Sequence, residues 1–148
     1  MNEIKTISKY DWNEKEKIAT YVIEYKGNKF VGKAYCNSKD LDMASERTGL
    51  YIAELRANLK LLRFLRDIII PNRLQSLYQF YYSINHSKQF NPKSYEAKML
   101  HRQIKSNEKD LEEIKDIIVT MKSILKEYID AKDKIYNLLR KHRTAKSV

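Results

Sequence analysis

A hydrophobic repeat runs through residues 97–139, AKMLHRQIKSNEKDLEEIKDIIVTMKSILKEYIDAKDKIYNLL, and is the strongest signal in the chain. Its apolar positions alternate three and four residues apart, at Leu100, Ile104, Leu111, Ile114, Ile118, Met121, Leu125, Tyr128, Ile135 and Leu139. A spacing that averages about 3.5 residues keeps one stripe of a helix facing a partner helix, as in a coiled coil. We therefore predict a helix about 65 Å long, at ~1.5 Å per residue, in an elongated molecule. A second helix of the same chain or another subunit would cover the stripe.

Two polar residues, Asn107 and Lys132, occupy positions of this repeat. A polar residue in an apolar seam fixes register and oligomeric state, because other pairings would bury it without a partner. Alternatively, each residue lies where the seam is already exposed to solvent. The sequence leaves both interpretations open.

The composition favours helices in a single folded unit. The chain has 148 residues, of which 43% are hydrophobic and 32% charged, with three glycines and two prolines. So few chain breakers argue against a many-stranded β fold. The single cysteine, Cys36, cannot form an internal disulfide, and the N-terminus lacks a signal-peptide pattern. We expect a cytoplasmic protein without a membrane span.

Two strands are predicted near the N-terminus. β-Branched and aromatic residues dominate residues 17–26 and recur in residues 29–36. Gly27-Asn28 separates the two runs, and a two-residue loop that begins with glycine suits a type II′ hairpin turn. Residues 1–16 carry a weaker pattern that fits either a short strand or an ordered arm.

Two helical segments follow the hairpin. N-cap candidates and acids at residues 37–42 indicate the start of a helix, and Pro71 is expected to kink or interrupt it. A polar connection over residues 83–91 leads to Asn91-Pro92. That pair predicts a cap with proline at the first position of the final helix.

The predicted fold is α+β and mostly helical. Residues 1–36 form an N-terminal arm and β-hairpin that pack on residues 37–148, within one structural unit. In the second segment, a kinked helix and the long C-terminal helix form an elongated antiparallel helical hairpin or coiled coil. The end of the stripe, from Met121 to Leu139, runs past the inner hairpin and would carry the contact of a homodimer.

The first binding candidate is a basic helix face. Arg56, Lys60 and Arg63 lie at positions i, i+4 and i+7 and therefore share one face, which Arg66 and Arg73 extend. The formal charge of +10 attracts phosphates and acidic protein surfaces alike. The face would lie along a phosphate backbone or an acidic groove, or else it is a solvated surface that keeps the protein soluble.

A second candidate combines aromatic rings and cations near the predicted connection, with Tyr82, Lys88 and Phe90 as its binding residues. These side chains could stack on a base or a nucleotide, or form the centre of a protein interface. The competing interpretation is an aromatic-rich core, because four residues of this segment have helical spacing: Leu74, Tyr78, Tyr81 and Tyr82.

A third candidate is the basic cluster near the C-terminus, formed by Arg140, Lys141 and Arg143. No acid follows Asp133, so this cluster adds local positive charge to the end of the last helix.

The sequence carries no catalytic, phosphate-loop or zinc-binding motif. Asp40, Asp42 and Glu46 resemble a small carboxylate cluster, but acids at a helix start more simply complement its dipole. The three histidines lack metal-ligand spacing, and Cys36 is expected to be a buried structural thiol. We predict a protein that is not an enzyme and needs neither a metal nor a cofactor.

The run from Tyr21 to Leu62, with VGKAYC at residues 31–36 leading into Asp40-Leu41-Asp42, resembles small accessory proteins of phages and mobile elements from AT-rich Gram-positive bacteria. The resemblance covers under a third of the chain. It implies a protein that acts stoichiometrically against host defence or replication machinery, including CRISPR nucleases and cyclic-nucleotide signalling.

These observations favour a non-enzymatic binding protein that inhibits a bacterial defence system, such as an anti-CRISPR. It would bind a nucleic-acid-handling complex through the basic helix face and the aromatic region. The alternatives are a protein that binds DNA or RNA directly and, more weakly supported, one that sequesters a nucleotide. No membrane partner is expected.

Overall fold

The computed structural model describes residues 5–36, 45–86 and 91–147, with side chains placed up to residue 142. The chain is mostly helical, with a three-stranded antiparallel sheet at its N-terminal end, which confirms the predicted class. It divides into two compact units. The helical unit comprises residues 62–118, and the sheet unit comprises residues 4–61 with 119–148, over their described residues. The predicted division at residue 36 stays a prediction.

Three strands form the sheet in the order β1-β2-β3: β1 is Ile7–Asn13, β2 is Ile18–Tyr25 and β3 is Asn28–Tyr35. Their register places Tyr10 opposite Tyr21, which in turn lies opposite Gly32. The two predicted strands are confirmed. β1 falls in the segment that the sequence left open between a strand and an arm.

The turn between β2 and β3 differs from the prediction by one residue. Tyr25 pairs with Asn28, so the loop consists of Lys26 and Gly27. Both have positive φ angles, 48° and 79°, as a type I′ turn requires, whereas type II′ needs only the first. The predicted Gly27-Asn28 turn is therefore wrong, because Lys26 adopts the left-handed conformation and Asn28 begins β3.

Three α-helices follow the sheet in the described part of the chain: α1 is Glu46–Phe64, α2 is Ile70–Asn85 and α3 is Tyr95–Ser147. The backbone N–H of Thr48 lies 3.4 Å from the Ser45 hydroxyl, which caps α1. The predicted start at residues 37–42 lies outside the described residues.

A π-helical turn, Leu65–Ile69, separates α1 from α2. The N–H of Ile70 bonds to the carbonyl of Leu65, five residues back. Pro71 therefore lies in the first turn of α2, where its missing N–H has little cost. The backbone stays helical through Ile69 and Ile70, so the kink or break at Pro71 stays a prediction.

The final helix begins later than predicted. The Asn91 side chain accepts a bond from the N–H of Lys93 at 3.0 Å, which makes a turn rather than a cap. The Ser94 hydroxyl accepts the N–H of Ala97 at 3.2 Å, so Ser94 is the N-cap. The prediction of a cap at Asn91 with Pro92 at the first helical position is therefore wrong. Asn91 and Ser94 both have side chains that can cap a helix, and Ser94 takes that position.

In the sheet unit, α1 packs on the sheet through very small residues. Ala53 and Ala57 on the helix are fully buried. A Cβ atom at Gly32 would lie 2.0 Å from the carbonyl oxygen of Ala53 and 2.5 Å from the nitrogen of Ala57. Helix and strand backbones are therefore in direct contact. The core also takes in Ala19, Ala34, Ile52, Trp12, Tyr21, Leu50, Leu125, Tyr128 and Ile129.

In the helical unit, α2 lies beside the first part of α3. The Tyr78 hydroxyl donates a 3.0 Å hydrogen bond to Glu108. Apolar side chains bury the interior of this unit: Leu65, Ile70, Leu74, Ala97, Leu100, Ile104, Ile114 and Ile118. Five of these are heptad-stripe or flanking positions of α3, so the predicted stripe is buried over this stretch.

The stripe shifts near the end of α3. Ile135 and Leu139 are 55% and 43% exposed, although the repeat predicted both for the seam. Lys132, which belongs to the stripe, is half-buried, and so are Tyr136 and Arg140, which follow it at intervals of four and lie off the stripe. A straight helix repeats about every 3.6 residues, so its inward face drifts off a strict heptad unless the helix supercoils.

Both polar residues of the stripe have partners within the chain. The Asn107 amide donates to the carbonyl of Gln103 at 2.8 Å. The Lys132 ammonium lies 3.1 Å from the Asp133 carboxylate and 5.6 Å from the centre of the Tyr136 ring. Because each residue has a partner in its own chain and is only half-buried, neither needs a second subunit to pair its polar group.

Within the described residues, none of the helices has both the length and the apolar character needed to cross a lipid bilayer.

Replacing Gly32 by alanine should strongly destabilise the protein. The added Cβ meets backbone atoms that cannot rotate away, so we expect a loss of about 3 kcal/mol or more in the free energy of unfolding. Urea denaturation measures it. Gly27→Asn is the control: no atom lies within 4 Å of a Cβ there and asparagine tolerates positive φ, so the loss should stay below about 1 kcal/mol. Similar losses for both variants would contradict the contact.

The only tryptophan should report the ionisation of Glu14. Hydrogen bonds from Lys17 and from the Trp12 indole, the latter at 2.5 Å, lower the pKa of Glu14 below its ordinary value. The stabilising effect of Glu14 is therefore present above its unfolded-state pKa and is lost as the pH falls through the folded-state value. Trp12 fluorescence should change with a midpoint below about pH 4.3.

Glu14→Gln should abolish this fluorescence transition, whereas Glu16→Gln, in the same loop, should leave it in place. A transition that survives Glu14→Gln would assign it to another group.

Candidate functional site

Two residues of the predicted basic face, Arg56 and Lys60, donate hydrogen bonds to the sheet. Arg56 donates from Nη1 to the carbonyl oxygen of Lys33 at 2.7 Å, and Lys60 donates from Nζ to that of Val31 at 2.6 Å. Both acceptors belong to β3, an edge strand whose alternate carbonyls point away from β2. Arg56 and Lys60 therefore cover the open edge of β3.

The other members of the face belong to the helical unit. Arg66 makes a two-pronged contact with Asp67, at 2.7 and 3.0 Å. This hydrogen bonding is the main cause that holds the pKa of Asp67 below its ordinary value, so the pair stays neutral overall. Arg63 and Arg73 are exposed. Of the five predicted cations, these two are available to a partner without breaking a bond that the structure shows.

The predicted aromatic region is only partly described. Tyr82 is 64% exposed, and its ring lies over that of His86 with a centroid separation of 4.0 Å. Phe80 and Tyr78 on the same helix are 59% and 47% exposed. These rings are at the surface, which excludes the aromatic-core interpretation for them. Lys88 and Phe90 lie outside the described residues.

The helical unit contains a groove of about 240 Å³ between α2 and the start of α3. We call it the basic groove, lined by Tyr81, Pro92, Ala97, Lys98, His101 and Arg102. The Tyr78–Glu108 hydrogen bond, one turn before Tyr81 on α2, holds the two helices together beside it. Although the ring is 47% exposed, partial desolvation raises the pKa of the Tyr78 hydroxyl, and the bond to Glu108 adds to the rise, so the phenol stays a proton donor at neutral pH.

The stretch of chain that lines this groove is basic, and five acids follow it within residues 108–116, Glu108 among them. Residues 62–107 contain eight Lys or Arg against two acids, Asp67 and Glu96. Lys98 and Arg102 lie one turn apart on α3, and both are exposed, as is His101. Cationic donors beside an aromatic ring suit an anionic group attached to a flat ring, such as a nucleotide, or a carboxylate-rich protein surface.

The sequence pattern placed Tyr81 among the aromatic residues near the connection but favoured Tyr82 and Phe90 for binding, and it did not identify Lys98 and Arg102. The i, i+4 spacing of Lys98 and Arg102 was visible, but which face of α2 lies opposite them depends on how the two helices pair. Sequence patterns carry little information on that register.

The C-terminal basic cluster is described in part. Arg140 is half-buried and donates from its guanidinium to the Asn137 side chain, while Lys141 is exposed. The side chain of Arg143 lies outside the described residues. Among the described residues no group of three or more His, Cys, Asp or Glu is placed to hold a metal ion.

No protein-family model, curated protein or solved structure matches this chain. The candidate site therefore rests on the geometry and charge of the helical unit.

Lys60 should contribute to stability, and Arg63, one turn further along α1, should not. Lys60→Met keeps most of the aliphatic stem but leaves the Val31 carbonyl without its donor, which should cost about 1 kcal/mol of unfolding free energy. Arg63→Met should change stability by less than about 0.5 kcal/mol. Urea denaturation compares the two. A larger loss for Arg63→Met would contradict the division of the basic face.

Proposed function

We propose that this chain is a non-enzymatic binding protein that inhibits a bacterial defence system, such as an anti-CRISPR. It binds a nucleic-acid-handling protein complex through the basic groove and the exposed cations of the helical unit. The single observation that supports this proposal is the groove itself, where Lys98, His101 and Arg102 lie beside Tyr81. The resemblance of residues 21–62 to phage accessory proteins supplies the class of target.

The groups of the basic groove suit binding better than catalysis. Its described lining offers two cations, the His101 imidazole, a phenol and apolar carbon, and it includes no carboxylate that would orient His101 as a general base. Cations hold an anionic surface in place, and they accelerate encounter with it. The partner surface would accordingly be the phosphate backbone bound by the complex or an acidic face next to it.

Direct binding of DNA or RNA is the second candidate, and the exposed ring of Tyr82 favours it. An unstacked base can lie on such a ring, while Arg63 and Arg73 contact phosphates elsewhere on the unit. Capture of a free nucleotide in the basic groove is a narrower form of the same chemistry. A groove of about 240 Å³ is just below the usual range for small-molecule sites.

Two finer features belong to the same proposal. The buried stripe from Leu100 to Ile118 packs as a coiled-coil seam against a kinked partner helix in the helical unit. The site of action is the cytoplasm, since the lone Cys36 leaves the chain without an internal disulfide.

Charge reversal in the groove should abolish inhibition. The test variant is Lys98→Glu with Arg102→Glu. Its matched control is Lys122→Glu with Lys126→Glu, which makes the same change at the same spacing on exposed positions of α3. Each protein is tested for inhibition of DNA cleavage by purified CRISPR nuclease–guide complexes. We expect the groove variant to lose at least about tenfold in potency, equivalent to ~1.4 kcal/mol, and the control to stay close to wild type.

Binding to bare oligonucleotides distinguishes the two candidates. Gel shifts with short single-stranded and duplex DNA and RNA are run at low salt. A shift that weakens steeply with salt and disappears in the groove variant favours direct nucleic-acid binding. Inhibition of the complexes without such a shift favours the protein target. Equal activity of the groove and control variants would refute the groove as the binding site, and the absence of both inhibition and a shift would refute both candidates.

A further inference from the structure

The outer edge of β1 is unpaired among the residues that the structure describes. The two-residue turn makes Tyr25 and Asn28 a hydrogen-bonded pair, so the odd-numbered residues of β2 bond to β3 and the even-numbered ones bond to β1. In β1 the N–H and C=O groups of Ser8, Tyr10 and Trp12 therefore point away from the sheet.

The placement of the Arg56 and Lys60 donors checks this assignment independently. The same alternation directs the carbonyls of the odd-numbered β3 residues outward, and Val31 and Lys33 are the two that these side chains reach. The two edges of the sheet thus differ: cations from α1 occupy acceptors on the β3 edge, whereas none of the described residues bonds to the outward groups of β1.

The exposure of β1 agrees with an open edge. Tyr10 at its centre is 70% exposed and Ile7 is 62% exposed, and Trp12 alone in the strand is half-buried. An exposed strand of seven residues with unpaired backbone groups is a template for another strand.

We propose that β1 pairs antiparallel with β1 of a second copy of this chain, about a two-fold axis at Tyr10, to form a six-stranded sheet. The register sets Tyr10 opposite Tyr10, Ser8 opposite Trp12 and Lys9 opposite Asp11. Up to six backbone hydrogen bonds form between the outward groups of residues 8, 10 and 12.

Charge complementarity identifies the second copy as the occupant. The outward groups all belong to even-numbered residues, so only registers that pair even with even are allowed. With Tyr10 on the axis, Lys9 and Asp11 form opposite-charge pairs on both sides of it. The neighbouring register on one side brings Lys9 against Lys9, and that on the other brings Asp11 against Asp11, and like charges directly opposite are unfavourable. An unrelated strand would match this charge pattern only by coincidence, whereas an identical strand related by a two-fold axis matches it by symmetry.

The decisive experiment exchanges these charges. Light scattering measures the association of wild type, of Lys9→Asp and of Asp11→Lys. The ionic strength is near physiological, because salt then screens the repulsion between two chains of charge +10. Wild type should dimerise, and each single variant, which now places like charges opposite, should bind itself at least about tenfold more weakly. Mixed in equal amounts, the two variants should form a heterodimer. One chain then carries aspartate at both positions of the pair and the other carries lysine at both, so every facing pair has opposite charges.

A further variant tests the backbone. Tyr10→Pro removes one outward N–H without removing a hydrogen bond to β2, so it should be monomeric with an unchanged circular dichroism spectrum. A wild type that stays monomeric at high concentration would overturn the proposal. So would a dimer that is indifferent to the charge variants and to Tyr10→Pro, which would place the contact elsewhere, for instance at exposed Ile135 and Leu138 on α3.

Discussion

The sheet unit depends on one backbone contact, the packing of α1 directly on Gly32. At this position the carbonyl of Ala53 and the nitrogen of Ala57 occupy the volume where any other residue would place its Cβ. Buried alanines at both helix positions make so close an approach compatible with a dry interface. Apolar area per residue is small in such a contact, so its stabilisation comes from the number of atoms in van der Waals range rather than from large side chains.

The close approach also decides what the cations of α1 do. A helix held this near to β3 brings the side chains of Arg56 and Lys60 within reach of the outward carbonyls of that strand. Arg63, one turn further, is exposed. A regular i, i+4, i+7 pattern that looks like one uniform basic face is thus divided into two structural donors and one exposed cation, Arg63, whose charge helps to lower the pKa of Asp67. The two cations that line a groove, Lys98 and Arg102, lie in the helical unit instead.

The coarse fold was predictable because its signals are local and repeated: β-branched residues in β2 and β3, few breakers, and the heptads of α3. The turn and cap positions, which depend on competition between neighbouring residues, were not predictable. Lys26 takes a left-handed conformation that favours glycine or asparagine, and Ser94 caps α3 although Asn91 has the same capacity. β1 lacks an apolar face of its own, and pairing with β2 rather than intrinsic preference fixes it as a strand. The basic groove depends on the pairing of α2 with α3, which spacing within one helix does not encode.

The two edges of the sheet illustrate how one residue type can have opposite effects on association. A lysine on an edge strand ordinarily discourages strand addition, because burying its charge beside another backbone is costly. Lys9 alone would protect β1 in this way, and Lys60 protects β3 by bonding to it. With Asp11 two residues away on the same face, however, Lys9 has a partner in any copy of its own strand related by a two-fold axis. The charge that excludes a generic strand is then the charge that selects an identical one.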